Sequence, residues 1–203
     1  MSELRSRFGE IDIYLFDQLL KGRFDGARTV LDAGCGSGRN LVYFLQNGFD
    51  VFGTDRDPDA IARVRRLAAR LAPHAPADRF QHATVEAMPF GDASMDAVLS
   101  SAVLHFADDE AHFAAMLGEM WRVLRPGGLF FARLASSIGM EDRVEPLQGR
   151  RHRLPDGSER FLVDAPFLAH HAGRLGALPL DPLKTTIVQD LRAMTTWCLR
   201  KPG

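Results

Sequence analysis

The stretch that decides how this chain folds is Val30-Leu31-Asp32-Ala33-Gly34-Cys35-Gly36-Ser37-Gly38. A short apolar run ends in a carboxylate, and three glycines then alternate before apolar spacing resumes. The first part predicts a buried strand over 28–33, and the last leads into a helix over 39–47 closed by Gly48. Between them the glycines let the chain turn sharply and let a ligand reach main-chain N–H groups. Such a unit cradles a nucleotide-like small molecule. Asp55 stands at the end of the next predicted strand, 50–54, roughly 20 residues after Gly34, where an acidic side chain can accept both hydroxyl protons of a ribose. A dinucleotide loop reads G-x-G-x-x-G. Here the third glycine is Gly38, one position early, and Arg39 stands where that glycine belongs. Asp32 would repel a pyrophosphate and suits a cationic ligand.

Outward from this loop, strand and helix alternate. Ile11, Leu15 and Leu19 predict an amphipathic helix over 11–21, stopped by Gly22. Asp57-Pro58 supplies a capping carboxylate and a proline at the first helical position, and Ile61, Val64, Leu67 and Leu71 give that helix its apolar stripe. Strands are expected over 79–85 and 95–101. Asp108 is expected to cap a further helix whose first turn is acidic and whose face carries Phe113, Met116, Met120 and Leu124. That helix stops at Pro126, and Gly127-Gly128 turns the chain into a strand over 129–134. Residues 136–160 lack periodicity and read as an insertion over the end of the sheet. A helix over 164–175 and a threonine-rich antiparallel hairpin, 184–189 with 194–200, follow. The fold class is α/β, a Rossmann-like, doubly wound and mostly parallel sheet in a single domain.

Three motifs in order carry a resemblance: the D-x-G-x-G-x-G stretch from Asp32 to Gly38, Asp55 after the second strand, and Leu124-Arg125-Pro126-Gly127-Gly128 before the fifth. Together they resemble class I S-adenosylmethionine-dependent methyltransferases over about residues 28–134, and the closing hairpin agrees with that family's antiparallel seventh strand. Gly36-Ser37-Gly38-Arg39-Asn40 is also similar to the glycine loop of tellurite-resistance-type methyltransferases. The resemblance implies a seven-stranded sheet and S-adenosyl-L-methionine as cofactor. It implies that Asp32 faces the methionine amino group, that Gly34, Cys35, Gly36 and Gly38 form the loop beside the methionyl–ribose part, and that Asp55 binds the ribose with Arg56 at the adenine edge. Relatives place an Asp after strand three to hold the adenine amino group. Thr84 stands at that position here, followed by Val85 and Glu86, and a threonine hydroxyl accepts a weaker hydrogen bond than a carboxylate.

Ser101, His105 and Phe106 follow the fourth strand, on the rim where open α/β sheets bind ligands. Ser101 is assigned to the cofactor, and His105 and Phe106 to the acceptor. His105, whose ordinary pKa lies near neutrality, is the candidate catalytic base. Tyr14, on a helical cap over 1–24, and Arg133, at the end of strand five, are further acceptor contacts. His112 and the pair His170-His171 read as solvated surface, and no metal site is expected.

Twenty-five basic against 26 acidic side chains give a net charge of −1, with no global attraction to nucleic acid or an anionic membrane. The arginines of 136–160 are matched by carboxylates. Two cysteines and the absence of a long apolar run fit a cytoplasmic chain. The expected function is methyl transfer to a small molecule by in-line displacement. A nucleotide-dependent oxidoreductase and a non-catalytic S-adenosylmethionine-binding protein are the rival readings.

Overall fold

The computed structural model describes residues 3–203. The chain runs α1 (Glu3–Phe8), α2 (Ile13–Leu20), β1 (Thr29–Ala33), α3 (Val42–Gln46), β2 (Asp50–Asp55), α4 (Pro58–Leu71), β3 (Phe80–His82), β4 (Met95–Ser101), α5 (Glu110–Val123) and β5 (Leu124–Ser136). There follow β6 (Glu145–Gln148), β7 (Arg151–Arg153), β8 (Glu159–Phe161), α6 (Ala165–Arg174), β9 (Leu178–Pro179), β10 (Lys184–Val188) and β11 (Arg192–Arg200). The main sheet has the order β10-β11-β5-β4-β1-β2-β3, and the two-residue β9 adds an eighth strand beside β11. β1 through β5 pair in parallel, while β11 runs antiparallel to both β5 and β10. This is the mostly parallel, Rossmann-like sheet with an antiparallel hairpin that the sequence predicts.

Alternation along the strands divides the core between the two faces of the sheet. Leu31, Val98, Phe130, Leu134 and Trp197 point to the side covered by α5 and α6, where they meet Phe113, Met116, Met120 and Phe167. Val30, Leu99, Phe131 and Cys198 point to the other side, against Leu15 of α2, Phe44 of α3 and Ile61 and Val64 of α4. The two layers hold the strand ends, and hence the loops after β1, β2 and β4, along one rim.

Local chemistry moves several predicted boundaries. Asp109 rather than Asp108 caps α5, its Oδ1 accepting from the His112 N–H at 2.8 Å. Leu124 leaves the helix in an extended conformation and pairs with Met95, because Pro126 disfavours helical geometry just before it. The helix expected over 39–47 shrinks to Val42–Gln46, since Asn40 turns inward and its Oδ1 accepts from the Asp12 N–H at 3.0 Å. The strand expected over 79–85 is only Phe80–His82. Within 136–160 a small antiparallel sheet, β6-β7-β8, stands where no periodicity was legible. Every residue of β6 is exposed, so its sequence carries no alternating burial signal.

Candidate active site

The glycine loop after β1 is anchored from below by β2. The N–H groups of Gly34 and Cys35 both donate to the Thr54 carbonyl, at 2.9 and 2.8 Å. Gly34 has φ +81°, and a Cβ there would fall 2.5 Å from Val103, so only glycine satisfies both the turn and the close approach. The Asp55 carboxylate is fixed at both oxygens: Gly36 N–H donates to Oδ2 at 2.8 Å and Asp57 N–H to Oδ1 at 2.9 Å. Gly36 has open space where its side chain would be, whereas a Cβ on Gly38 would meet Val64 and Leu67 of α4. Gly38 therefore serves helix packing.

Asp32 lies beneath this loop, 2% exposed, and its Oδ1 is buried with no hydrogen-bond partner. Burial pushes its carboxyl up to about 7, with the Arg39 charge opposing and the Asp55 charge adding to the rise. A buried carboxylate oxygen left without a donor beside a charge-bearing loop is a socket for a cation. Cys35 is buried against Gly53, and burial raises its thiol well above the ordinary value, which disqualifies it as a nucleophile.

Above the loop opens a cavity of about 250 Å³ bordered by Gly34, Asp55, Arg56, Thr84, Val85, Glu86, Ala102, Val103, Phe106, His112 and Met116. The Glu86 carboxylate accepts from His112 Nε2 at 2.5 Å. Burial opposes its ionisation, but hydrogen bonds from His112 and Thr84 prevail and hold the carboxyl below its ordinary value. The same bond raises His112 against the effect of burial. A second cavity, of about 380 Å³, adjoins the first and shares Ala102 and Phe106 with it. Its lining includes Arg39, His105, Arg133, Leu154, Asp156, Ser158, Arg160 and Arg192. Ala102 sits on this dividing wall with φ +64°, a left-handed conformation that a non-glycine residue holds only under constraint, and its N–H donates to the Arg133 carbonyl at 2.7 Å.

A family model for the methyltransferase domain matches residues 31–132, which contain the loop, Asp55 and the rim after β4. The chain belongs to the methyltransferase-domain family. It is 36% identical over 186 residues to a malonyl-[acyl-carrier protein] O-methyltransferase of Pectobacterium atrosepticum, covering 86% of this chain and 68% of that one. It is 32% identical over 127 residues to a probable S-adenosylmethionine-dependent methyltransferase of Mycolicibacterium smegmatis, covering 61% and 46% respectively. The chain thus spans about half to two thirds of the length of these relatives. Among solved structures, the 1,6-didemethyltoxoflavin-N1-methyltransferase of Burkholderia thailandensis superposes with a TM-score of 0.69 at 23% identity, over 96% of this chain and 80% of that one. That likeness bears on the fold.

In this methyltransferase domain the expected cofactor residues fall into three groups. Gly34, Asp55, Arg56, Thr84, Val85 and Glu86 border the first cavity. Asp32 and Gly36 do not line it; Asp32 is buried one residue before Ala33, and Gly36 reaches it through its N–H bond to Asp55. Cys35, Gly38 and Ser101 are not among its lining residues, and the Ser101 hydroxyl instead accepts from Arg39 at 3.2 Å. On the acceptor side, Phe106 borders both cavities and His105 the second. Arg133 also borders the second, but its guanidinium donates to the buried Asp12 carboxylate at 2.9 Å and lies 5.1 Å over the Tyr14 ring. Tyr14 borders neither cavity, and its hydroxyl is hydrogen-bonded to that of Thr186.

His105 is held in a single role. The Ala135 N–H donates to its Nδ1 at 3.1 Å, so the neutral ring carries its proton on Nε2. Burial lowers its pKa to about 4, and the charges of Arg160 and Arg192 add to the effect. With Nδ1 engaged, the neutral ring offers its Nε2–H on the side of the second cavity. Sequence reading also missed His112, read as surface, and Asp12, whose carboxylate collects Arg133 and Arg39. No local signal separates Asp12 from an ordinary helix cap, because its partners are distant in sequence.

Proposed function

We propose that this domain transfers a methyl group from S-adenosyl-L-methionine to a small-molecule acceptor by in-line displacement. One observation carries the reading: a buried, donor-less Asp32 oxygen lies beneath a loop whose far side presents an Asp55 carboxylate already oriented by two N–H groups. Asp32 would receive the methionine ammonium, Asp55 the ribose hydroxyls, and Thr84 with the Glu86–His112 pair the adenine edge. When bound, the cofactor supplies a methyl group already activated by its sulfonium leaving group. The chain's contribution is then orientation and exclusion of water, with His105 a donor to the acceptor and no general base required of it. The helical segment over 1–24 is proposed as a cap and 136–160 as a lid over the acceptor side. The relatives' names, which include O- and N-methyltransferases, support the reaction class.

An oxidoreductase reading fares worse, since a pyrophosphate at this loop would lie against Asp32. Calorimetric titration with S-adenosylmethionine, S-adenosylhomocysteine and NADH tests the proposal. Binding of the first two and not the third is expected, followed by methyl transfer across an acceptor panel. Binding of NADH alone would sink it.

A further inference from the structure

The second cavity is built around positive charge. Arg39, Arg133, Arg160 and Arg192 all border it. Two carboxylates answer them. Asp12, fully buried at the side chain, is shared by Arg133 at 2.9 Å and Arg39 at 3.7 Å. Asp156 lies 3.9 Å from Arg192, but its Oδ1 is already engaged by the Ser158 hydroxyl and N–H at 2.6 and 2.9 Å. Four guanidiniums against two carboxylates leave a positive surplus in a partly enclosed space. Arg160 makes no ion pair within 4 Å among the described residues: one Nη donates to the Glu159 carbonyl at 2.7 Å, its charge acts on Asp156 only from a distance, and its guanidinium stacks 4.9 Å over the Phe106 ring. Phe106 and Ala102 border both cavities, so this unpaired guanidinium stands at the wall between them. His105 adds a neutral Nε2–H donor on the same lining. An aromatic-backed guanidinium with no carboxylate partner, on the same lining as a neutral donor, matches an oxyanion in charge and in donor chemistry.

We infer that the acceptor of this methyltransferase carries an anionic oxyacid group, a carboxylate or a phosphate, which docks on Arg160 and Arg192 in the second cavity and turns the rest of the molecule toward the first. The inference deepens the methyl-transfer reading and rests on it for the word acceptor, but the anion site itself stands on the arginines. Arg160 comes from β8 and Arg192 from the start of β11, so the insertion over 136–160 supplies specificity as well as cover. The overall charge of −1 gives no sign of this local surplus.

The test is isothermal titration of the chain, free and saturated with S-adenosylhomocysteine, with glutarate, inorganic phosphate and the uncharged dimethyl glutarate. Glutarate or phosphate is expected to bind and the diester not. Arg160→Gln and Arg192→Gln, each checked for folding by circular dichroism, are expected to weaken the anion at least tenfold while leaving S-adenosylhomocysteine affinity within twofold. The glutarate and phosphate arms distinguish carboxylate from phosphate. Equal binding of the diester, no anion binding to a chain that binds S-adenosylhomocysteine, or anion binding untouched by both variants would overturn the anion site. Failure of S-adenosylhomocysteine to bind, with the anion response intact, would instead overturn the methyl-transfer reading alone.

Discussion

Asp32 holds a carboxyl where water cannot reach it, and its raised pKa is a statement about stability. Its ordinary value is 3.8 and its folded value about 7, so across that interval the folded chain keeps a proton that the unfolded chain has lost. Stability from this group is therefore greatest below pH 4, falls as pH rises to 7, and stays reduced above it. Converted directly, the penalty is at most ~4 kcal/mol. Asp32→Asn should raise the melting temperature of the ligand-free chain at pH 8 by a few degrees while lowering S-adenosylhomocysteine affinity at least tenfold. A lowered melting temperature would show that the carboxylate is not a stored cost. For His105 the sign is opposite. Its pKa is about 4 in the fold against an ordinary 6.5, so its contribution is complete above pH 6.5 and lost as pH falls toward 4. About 3 kcal/mol is at stake, and His105→Gln should flatten that acid limb in denaturant titrations. Methyl-transfer rates from pH 6 to 9 should show no limb that His105→Gln removes; one that did would restore the histidine as a base. Asp32 and Asp55 were legible because each ends a strand. The tautomer of His105 was not, since it depends on an N–H 30 residues away.

Elements were legible where one face is buried and illegible where none is. α4 shows this clearly, with Asp57 capping, Pro58 in the first turn and Ile61 and Val64 buried. β6 shows the reverse, as a strand exposed along its whole length whose pairing leaves no apolar alternation. The loop between β1 and α3 is decided by neither signal. It is pinned by Asp12, which lies between α1 and α2 and reaches Arg39, Asn40 and Arg133 at once. Asp12→Ala removes a buried carboxylate and strands the partly buried Arg133, at a cost of about 3 kcal/mol. Urea denaturation should show a lower midpoint, and the loosened loop should bind S-adenosylhomocysteine more weakly. An unmoved midpoint would mean that Asp12 fastens nothing.

At the scale of the molecule, the parallel half of the sheet and the cofactor loop follow from sequence order, whereas the second cavity does not. Arg39, Arg133, Arg160 and Arg192 come from four separate segments and converge only when the hairpin, the insertion and the rim close together. That closure depends on β11, which lies between β5 and β10 with eight of its residues in register with β5. This strand, one in from the β10 edge, is also the part synthesised after everything it pairs with. Until residue 200 has left the ribosome, the β5 edge carries unpaired amide groups beside Phe130 and Phe131, the kind of edge that recruits other chains. A chain cut after Leu183 should accordingly appear in the pellet on centrifugation while the chain that includes β11 stays in the supernatant. Growing cells should then make this protein in good yield only when translation of its last stretch is not allowed to stall.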